Sequence, residues 1–253
     1  MNHFEISLVV FACVFGSALA GMMLHKLLPP NHLTEESIGV IKLATGLIAT
    51  MAALVLGLLV SSAKVSFDTE GTNLVHNAAN VVRLDRALAN YGPETREIRT
   101  ALKRTYAETI RIMDSGDSGQ LARLGSAEAI DRTETFERSV ERLTPGNASQ
   151  GRLRMEALAL VHEILGARWL SILQAHGSIP VSLLAILILW LSIIFGTFGM
   201  FAPRNGTIIA AFVVCAVSTS GAVFLIEELS TPLDGVARVS VVPMRTALSL
   251  LGQ

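Results

Sequence analysis

The fold is decided by residues 38–60, IGVIKLATGLIATMAALVLGLLV, and by the polar stretch that follows, SSAKVSFDTEGTNLVHNAANVVRLDRALA (61–89). As a helix, the first stretch is long enough to span about 30 Å of hydrocarbon. No Gly-Pro turn separates it from the second stretch. Together the two stretches predict one helix that leaves the membrane near Val60 and continues into water.

The composition of the chain is that of a membrane protein. Of its 253 residues, 51% are hydrophobic and 16% are charged, and the net charge is −1. This balance gives no basic field for nucleic acid. Cys13 and Cys215 both lie in apolar runs, and the six histidines show no metal-ligand spacing. We therefore expect no cofactor, no metal site and no nucleic-acid partner. We also expect no enzyme activity, because no catalytic set of residues is evident.

Four segments approach the roughly 20 residues that a membrane-spanning helix needs. They are residues 6–24, 38–60, 181–201 and 208–226. Pro29-Pro30 ends the first segment, and Pro203 with Gly206 marks a tight turn between the last two. These features predict an all-α integral membrane protein, in which two transmembrane hairpins flank a helical cytoplasmic domain. The predicted parts are a first hairpin at 1–62, a helical soluble domain at 63–178, a second hairpin at 179–228 and a C-terminal tail at 229–253.

The first segment has two interpretations. Ala18-Leu19-Ala20 resembles the cleavage site of a secretory signal peptide, but the residues before the apolar run include Glu5 and no Lys or Arg. A signal peptide normally begins with positive charge, so we favour a retained membrane helix.

The distribution of positive charge predicts the orientation in the membrane. Fifteen of the twenty Lys and Arg lie between residues 61 and 179. The positive-inside rule then places the central domain, and both termini with it, in the cytoplasm.

The second segment carries two neighbouring stripes of residues at four-residue spacing. Small side chains, which let another helix approach closely, form the first stripe at Thr45, Ala49, Ala53, Gly57 and Ser61. We interpret this stripe as a packing face. Bulkier side chains form the second stripe at Thr50, Leu54, Leu58 and Ser62. This second stripe is a candidate pore lining, because an apolar constriction can gate a pore by dewetting.

Charged residues near the ends of the segments have both a structural and a functional interpretation. Lys42 lies about one turn inside its segment, so its ammonium group can reach the headgroups. The alternative is that Lys42 and Lys64 attract anions at the mouths of a pore. Glu227 and Glu228 end the fourth segment, and we expect them to reach water.

Motifs at the end of the second segment and further along the chain resemble those of a known family. The step LGLLVSSAKVSF (56–67), followed by NVVR (80–83), resembles the second-helix region of bestrophin-type proteins. The chain is more similar to a bacterial bestrophin-like family, a domain of unknown function. This similarity lies in the same step, in YGPE (91–94), and in the tail motifs PLDG (232–235), VS (239–240) and Pro243.

The resemblance implies a function for the chain. It implies a homo-oligomer, a pentamer in bestrophins, that lies in a bacterial inner membrane and conducts inorganic ions, anions rather than cations. The second helix would line the pore, with a neck at Thr50, Leu54 and Leu58. Leucine stands where bestrophins have an aromatic residue at the step, and Thr50 is polar. The alternative function is a non-conducting scaffold or signalling module whose helical domain binds a partner.

Overall fold

The computed structural model describes residues 3–27, 29, 34–174, 181–232 and 237–253. Within these residues the chain forms nine α-helices and no strand, which confirms the all-α prediction. The helices are α1 (His3–Leu27), α2 (Glu35–Tyr91), α3 (Arg96–Ser115), α4 (Ser118–Arg123), α5 (Ala127–Glu141), α6 (Ala148–Gln174), α7 (Val181–Phe201), α8 (Gly206–Leu229) and α9 (Val242–Leu250). Of these, α1, α2, α7 and α8 are long and apolar enough to cross a membrane.

The unbroken helix that the sequence predicts is α2. Its 57 residues correspond to a length of about 85 Å at 1.5 Å per residue. The helix ends at Tyr91 because Gly92 has a φ of 145°, a backbone conformation that favours glycine. A short 3-10 helix, Pro93–Thr95, then leads into α3. The hydroxyl of Thr95 donates a hydrogen bond of 2.6 Å to the carbonyl oxygen of Leu88, which ties the turn back onto α2.

The chain divides into two compact units. The first unit comprises Met1–Val65 and Ser178–Ser230, and the second comprises Ser66–Gly177 and Thr231–Gln253. The division falls inside α2, so this helix contributes to both units. The four-part organisation predicted above and its cytoplasmic domain stay predictions.

In the first unit, α1 packs against α7 and α8. Val10 and Val14 of α1 are buried in one cluster with Ala216 and Val223 of α8. Residues of α7 complete this cluster at Leu184, Ile188, Leu191 and Phe195. Since the described partners of α1 are the last two membrane-length helices, the predicted pairing of α1 with α2 in a hairpin stays a prediction.

The crossing of α1 and α7 brings the two backbones into direct contact. A methyl group added to Gly21 would overlap the carbonyl oxygen of Gly196, and one added to Gly199 would overlap the carbonyl oxygen of Ala18. Small residues at such a crossing let two membrane helices approach more closely than larger side chains would permit. Gly21 and Gly199 are therefore required for this approach.

The connection between α7 and α8 is short, as the sequence predicts. α7 ends at Phe201 and α8 begins at Gly206. The side chain of Asn205 accepts a hydrogen bond of 2.9 Å from the backbone N–H of Ile208, so it caps the first turn of α8. The expected turn around Pro203 is confirmed.

The second unit has two apolar clusters along α2. One joins α2 to α3 and α9 through buried residues Leu74, Ala78, Val81, Tyr106, Ile110, Met113, Met244, Ala247 and Leu251. The other joins α2 to α5 and α6 through Leu84, Ala87, Leu88, Val140, Ala157, Leu160 and Val161. Because α9 contributes to the first cluster, part of the segment that we predicted as a tail is core of this unit.

A buried ion pair links α2 to α3 in the second unit. Asp85 is 1% exposed, and its carboxylate accepts hydrogen bonds from Arg99 at 2.8 and 2.9 Å and from the N–H of Gly252 at 3.1 Å. Burial raises the pKa of Asp85, but these hydrogen bonds outweigh it, so the pKa lies below its ordinary value. The ammonium group of Lys103 donates to the carbonyl oxygen of Leu251 at 2.8 Å. Together these bonds hold residues 251–252 against α2 and α3.

Candidate functional site

The membrane part of α2 has one face packed inside the first unit. Ala52, Leu59 and Ala63 of α2 are buried in a cluster with Leu187 and Ile194 of α7. Ile226 of α8 also belongs to this cluster. These α2 residues are seven and four positions apart, close to two helical turns and one, so they form one side of the helix.

The candidate pore stripe lies on the other side of α2. Thr50, Leu54, Leu58 and Ser62 are all exposed in the single chain, and the exposed fractions of Leu54 and Leu58 are 75% and 67%. At about 100° per residue, Leu54 and Thr50 lie roughly 140–180° around the helix from Leu59. The stripe therefore faces away from the core of its own unit. Ser62 lies nearer to the packed face, because four-residue spacing turns a stripe by about 40° per step.

Two further leucines belong to the exposed face and were not among the predicted site residues. Leu43 and Leu47 are 77% and 64% exposed. They precede Thr50 and Leu54 by seven residues each, which is close to two helical turns. A search at seven-residue spacing would have found them, whereas the four-residue stripes did not.

The predicted packing stripe is divided between the two faces. Thr45 is buried and Ala49 is partly buried, so both lie on the packed side of α2. Ala53, Gly57 and Ser61 are exposed, and no neighbouring atom lies within 4 Å of a methyl group placed on Gly57. Any packing role of these three residues therefore requires another molecule, and it stays a prediction.

The two lysines proposed for the mouths of a pore are exposed, but the two acidic residues at the end of α8 are buried. Lys42 and Lys64 are exposed on α2. Glu227 and Glu228 are 8% and 3% exposed, so our expectation that they reach water is wrong. The end of α8 meets the beginning of α1, where Nδ1 of His3 lies 3.7 Å from Oε2 of Glu227.

The described residues form no cluster that could bind a metal ion. Across residues 3–27, 29, 34–174, 181–232 and 237–253, no group of three or more His, Cys, Asp or Glu side chains has the geometry to hold a metal ion. Residues 233–235 of the predicted tail motif lie outside these described ranges. The exposed face of α2 therefore remains the candidate site.

Comparison with known families shows the family to which the chain belongs. A profile of the Bestrophin-like domain matches residues 12–244. The chain belongs to the Bestrophin-like family. The resemblance to a bacterial bestrophin-like family, which we drew from the step at 56–67, from YGPE (91–94) and from the tail motifs, is thereby confirmed. Membership of the Bestrophin-like family and the four apolar helices together indicate an integral membrane protein.

Two solved structures share the fold of this Bestrophin-like protein. Both are crystal structures of a bacterial bestrophin homologue from Klebsiella pneumoniae, one carrying a leucine-to-threonine mutation and the other an isoleucine-to-threonine mutation. The first is 18% identical with a TM-score of 0.63, and the second is 15% identical with a TM-score of 0.61. Each comparison covers 100% of both chains. A comparison with curated protein sequences finds no match.

Proposed function

We propose that this Bestrophin-like protein is a homo-oligomeric membrane ion channel, that α2 lines its pore, and that it conducts anions more readily than cations. The observation that carries the proposal is the exposed face of α2, with Leu54 on the side opposite the packed core and Leu58 exposed beside it. Membership of a family with the bestrophin fold supports the same function.

The position of this face explains why the proposal requires several copies of the chain. Thr50, Leu54 and Leu58 lie on the outside of their own unit, so one chain cannot enclose them. Several chains arranged around an axis would bring these faces together, and the small side chains of Ala53 and Gly57 would let neighbouring helices approach. Five copies is the number that the resemblance to bestrophins implies.

The chemistry of the face suits a gated neck. Leu54 and Leu58 would form rings of apolar side chains, and a narrow apolar ring closes a pore by expelling water. Thr50 would add a hydroxyl to the same lining. Its Oγ1 already donates to the carbonyl oxygen of Leu47 at 2.7 Å, which leaves the oxygen lone pairs available to water.

Charge and topology support the anion preference and the location. Exposed Lys42 and Lys64 would lie near the two ends of the neck. A bacterial inner membrane, with both termini and residues 63–178 in the cytoplasm, agrees with the concentration of Lys and Arg in that region. The proposed membrane part consists of two hairpins, residues 1–62 and 179–228.

Recording from purified full-length protein in planar bilayers tests the channel. Leu54→Ser and Leu58→Ser should increase ion conduction, since each replaces an apolar ring by hydroxyl groups that water can wet. The matched control is Leu189→Ser, because Leu189 is 57% exposed on α7 and is not on the proposed pore face. A folded oligomer that passes no ions would contradict the proposal. Conduction that neither α2 substitution alters would do so too.

The second candidate function is a non-conducting scaffold whose helical unit binds a partner protein. It is favoured by the second unit, which has two apolar clusters of its own. In this case Leu54→Ser and Leu58→Ser would leave function intact, whereas substitutions of exposed residues on α3, α5 or α6 would abolish partner capture from native membranes.

A further inference from the structure

A small cavity lies between α3, α5 and α6, inside the second unit. Its volume is about 20 Å³, which is room for about one water molecule or one ion of similar size. Most of the side chains around it are polar or charged. They include three threonines, two arginines and one acid: Thr105, Thr109, Thr133, Arg132, Arg168 and Glu108. The cavity therefore combines a small size with an excess of positive charge.

Arg168 of α6 carries a positive charge that no acidic side chain balances. Its Nη1 donates a hydrogen bond of 3.0 Å to Oγ1 of Thr133, and its Nη2 donates to the carbonyl oxygen of Leu124. Both acceptors are neutral. Within the described part of the chain, no carboxylate forms an ion pair with Arg168. A guanidinium group is always protonated near neutral pH, and a charge that is partly removed from water is stabilised by a partner of opposite sign.

Arg132 of α5 adds a second positive charge to the same cavity. Burial lowers the pKa of Arg168, and the charge of Arg132 lowers that pKa further. The Nη1 of Arg132 donates a hydrogen bond of 3.1 Å to Oε2 of Glu108, so this carboxylate balances one of the two arginines. Two guanidinium groups and one carboxylate leave a net charge of +1 around the cavity. One monovalent anion would neutralise it.

The other acidic residues of α5 do not supply the missing negative charge. Asp131 and Glu134 lie 3.9 and 3.3 Å from Nη2 of Arg138, which is their ion-pair partner. Glu128 is exposed and does not line the cavity. The charge of Arg168 is therefore not balanced from the helix that it packs against.

The cavity also has hydrogen-bond donors that are not in use. A guanidinium group has more N–H donors than the two that Arg168 uses here. The hydroxyls of Thr109 and Thr133 donate to the carbonyl oxygens of Thr105 and Ala129. The hydroxyl of Thr105 itself has no hydrogen-bond partner among the described residues. Spare donors on a positively charged lining suit an anion better than a neutral ligand or a cation.

We propose that this cavity binds one small monovalent anion, such as chloride, between Arg168 and Arg132. The anion supplies the negative charge that Arg168 lacks, and it holds α6 against α3 and α5. The size of the cavity excludes larger anions such as sulfate and gluconate. The site does not depend on the proposed channel function, because none of its residues belongs to the exposed face of α2 around Leu54.

Thermal melting of the full-length protein in detergent, at constant ionic strength, tests the site. Replacing sodium gluconate by sodium chloride should raise Tm, because a ligand that binds only the folded state stabilises it. At a chloride concentration roughly ten times the dissociation constant, the rise should be roughly 3–6 °C. Bromide should act like chloride. Constant ionic strength keeps the general screening of surface charges the same in each salt.

Two variants with opposite effects separate anion binding from a purely structural role of the cavity. Arg132→Gln should abolish most of the chloride-dependent rise, since the lining then has no net positive charge. Glu108→Gln should tighten chloride binding at least about threefold, the effect of a unit charge about 7 Å away in water. The control is Arg138→Gln, which should keep the rise. Arg138 lies on the same helix as Arg132, is also in an ion pair, and has a similar side-chain exposure, 51% against 50%.

The results that overturn the site are distinct from those that overturn the channel. A wild-type Tm that is equal in chloride and gluconate would overturn the site, as would a full chloride-dependent rise in Arg132→Gln. A Glu108→Gln variant that binds chloride more weakly than the wild type would do so too. Crystals grown in sodium bromide give the location directly. An anomalous peak beside Arg168 would support the site, and bromide peaks only elsewhere would overturn it.

Discussion

Removing Arg99 should destabilise the second unit strongly, because it leaves a charge buried without its partner. In the Arg99→Gln variant, the carboxylate of Asp85 loses two hydrogen bonds of 2.8 and 2.9 Å and keeps the one from the N–H of Gly252. Breaking a buried ion pair from one side lowers the free energy of unfolding by about 3–5 kcal/mol. At roughly 2–4 °C per kcal/mol for a chain of this size, Tm should fall by about 6–20 °C.

The Asp85–Arg99 pair also predicts how the stability of the protein depends on pH. In the wild type the pKa of Asp85 is lowered, so the stability from the pair is complete above the ordinary value of 3.8 and is lost as pH falls through the lower folded-state pKa. In Arg99→Gln the carboxylate stays buried without the guanidinium, which should raise its pKa. That variant therefore gains stability as the pH falls, and the difference in Tm between wild type and variant should narrow from pH 7 towards pH 4.

Thermal melting followed by far-UV circular dichroism, on full-length protein in detergent, measures both effects. The control is Arg104→Gln, which removes an exposed arginine from the same helix and should change Tm little. Asp85→Asn combined with Arg99→Gln should be less destabilising than the two single effects added together, since no unpaired charge is left. The reasoning is refuted if Arg99→Gln melts like Arg104→Gln, or if the difference in Tm widens on acidification.

Two glycine substitutions give further predictions, checked by the same melting measurement. Gly199→Ala should lower the free energy of unfolding by about 1–3 kcal/mol, because the new methyl group overlaps the backbone of α1. Gly16→Ala should not lower the free energy of unfolding, since Gly16 faces open space. Equal losses of stability in Gly16→Ala and Gly199→Ala would contradict the close crossing of α1 and α7. Gly92→Ala should lower the free energy of unfolding by about 1–3 kcal/mol, because the φ of 145° at position 92 is strained for alanine. Gly151→Ala should instead raise the free energy of unfolding by up to about 1 kcal/mol, because Gly151 lies in α6 with open space around it. A loss of stability in Gly151→Ala would argue that the loss in Gly92→Ala does not come from its backbone conformation alone.

Features that depend on local signals were predicted well from the sequence. The continuity of α2 follows from the absence of proline between Val60 and Tyr91. Gly92 and Pro93, the next two residues, end the helix. The turn between α7 and α8 was marked by Pro203. Each of these features involves residues within a few positions of one another, so propensity and capping were sufficient to predict it.

Features that depend on distant partners were not predictable in this way. Which side of α2 is packed depends on Leu187 and Ile194, more than 100 residues further along the chain. The four-residue stripes also drift relative to a helix of 3.6 residues per turn, which is why Gly57 was assigned to packing although it is exposed in the single chain. Glu227 is buried and lies 3.7 Å from His3 at the start of α1, and no pattern near Glu227 indicates that contact.

The dependence of α1 on the last two membrane-length helices has a consequence for synthesis of the protein. α7 begins at Val181, roughly 150 residues after α1 ends at Leu27, and translation at about 5–20 residues per second takes roughly 8–30 s to cover that interval. During this time α1 resides in the bilayer without its described partners, and its glycine surface at Gly21 is open to lipid or to the insertion machinery. The bundle is therefore completed only late in translation. A chain that stops before residue 181 would contain α1 without either of these partners.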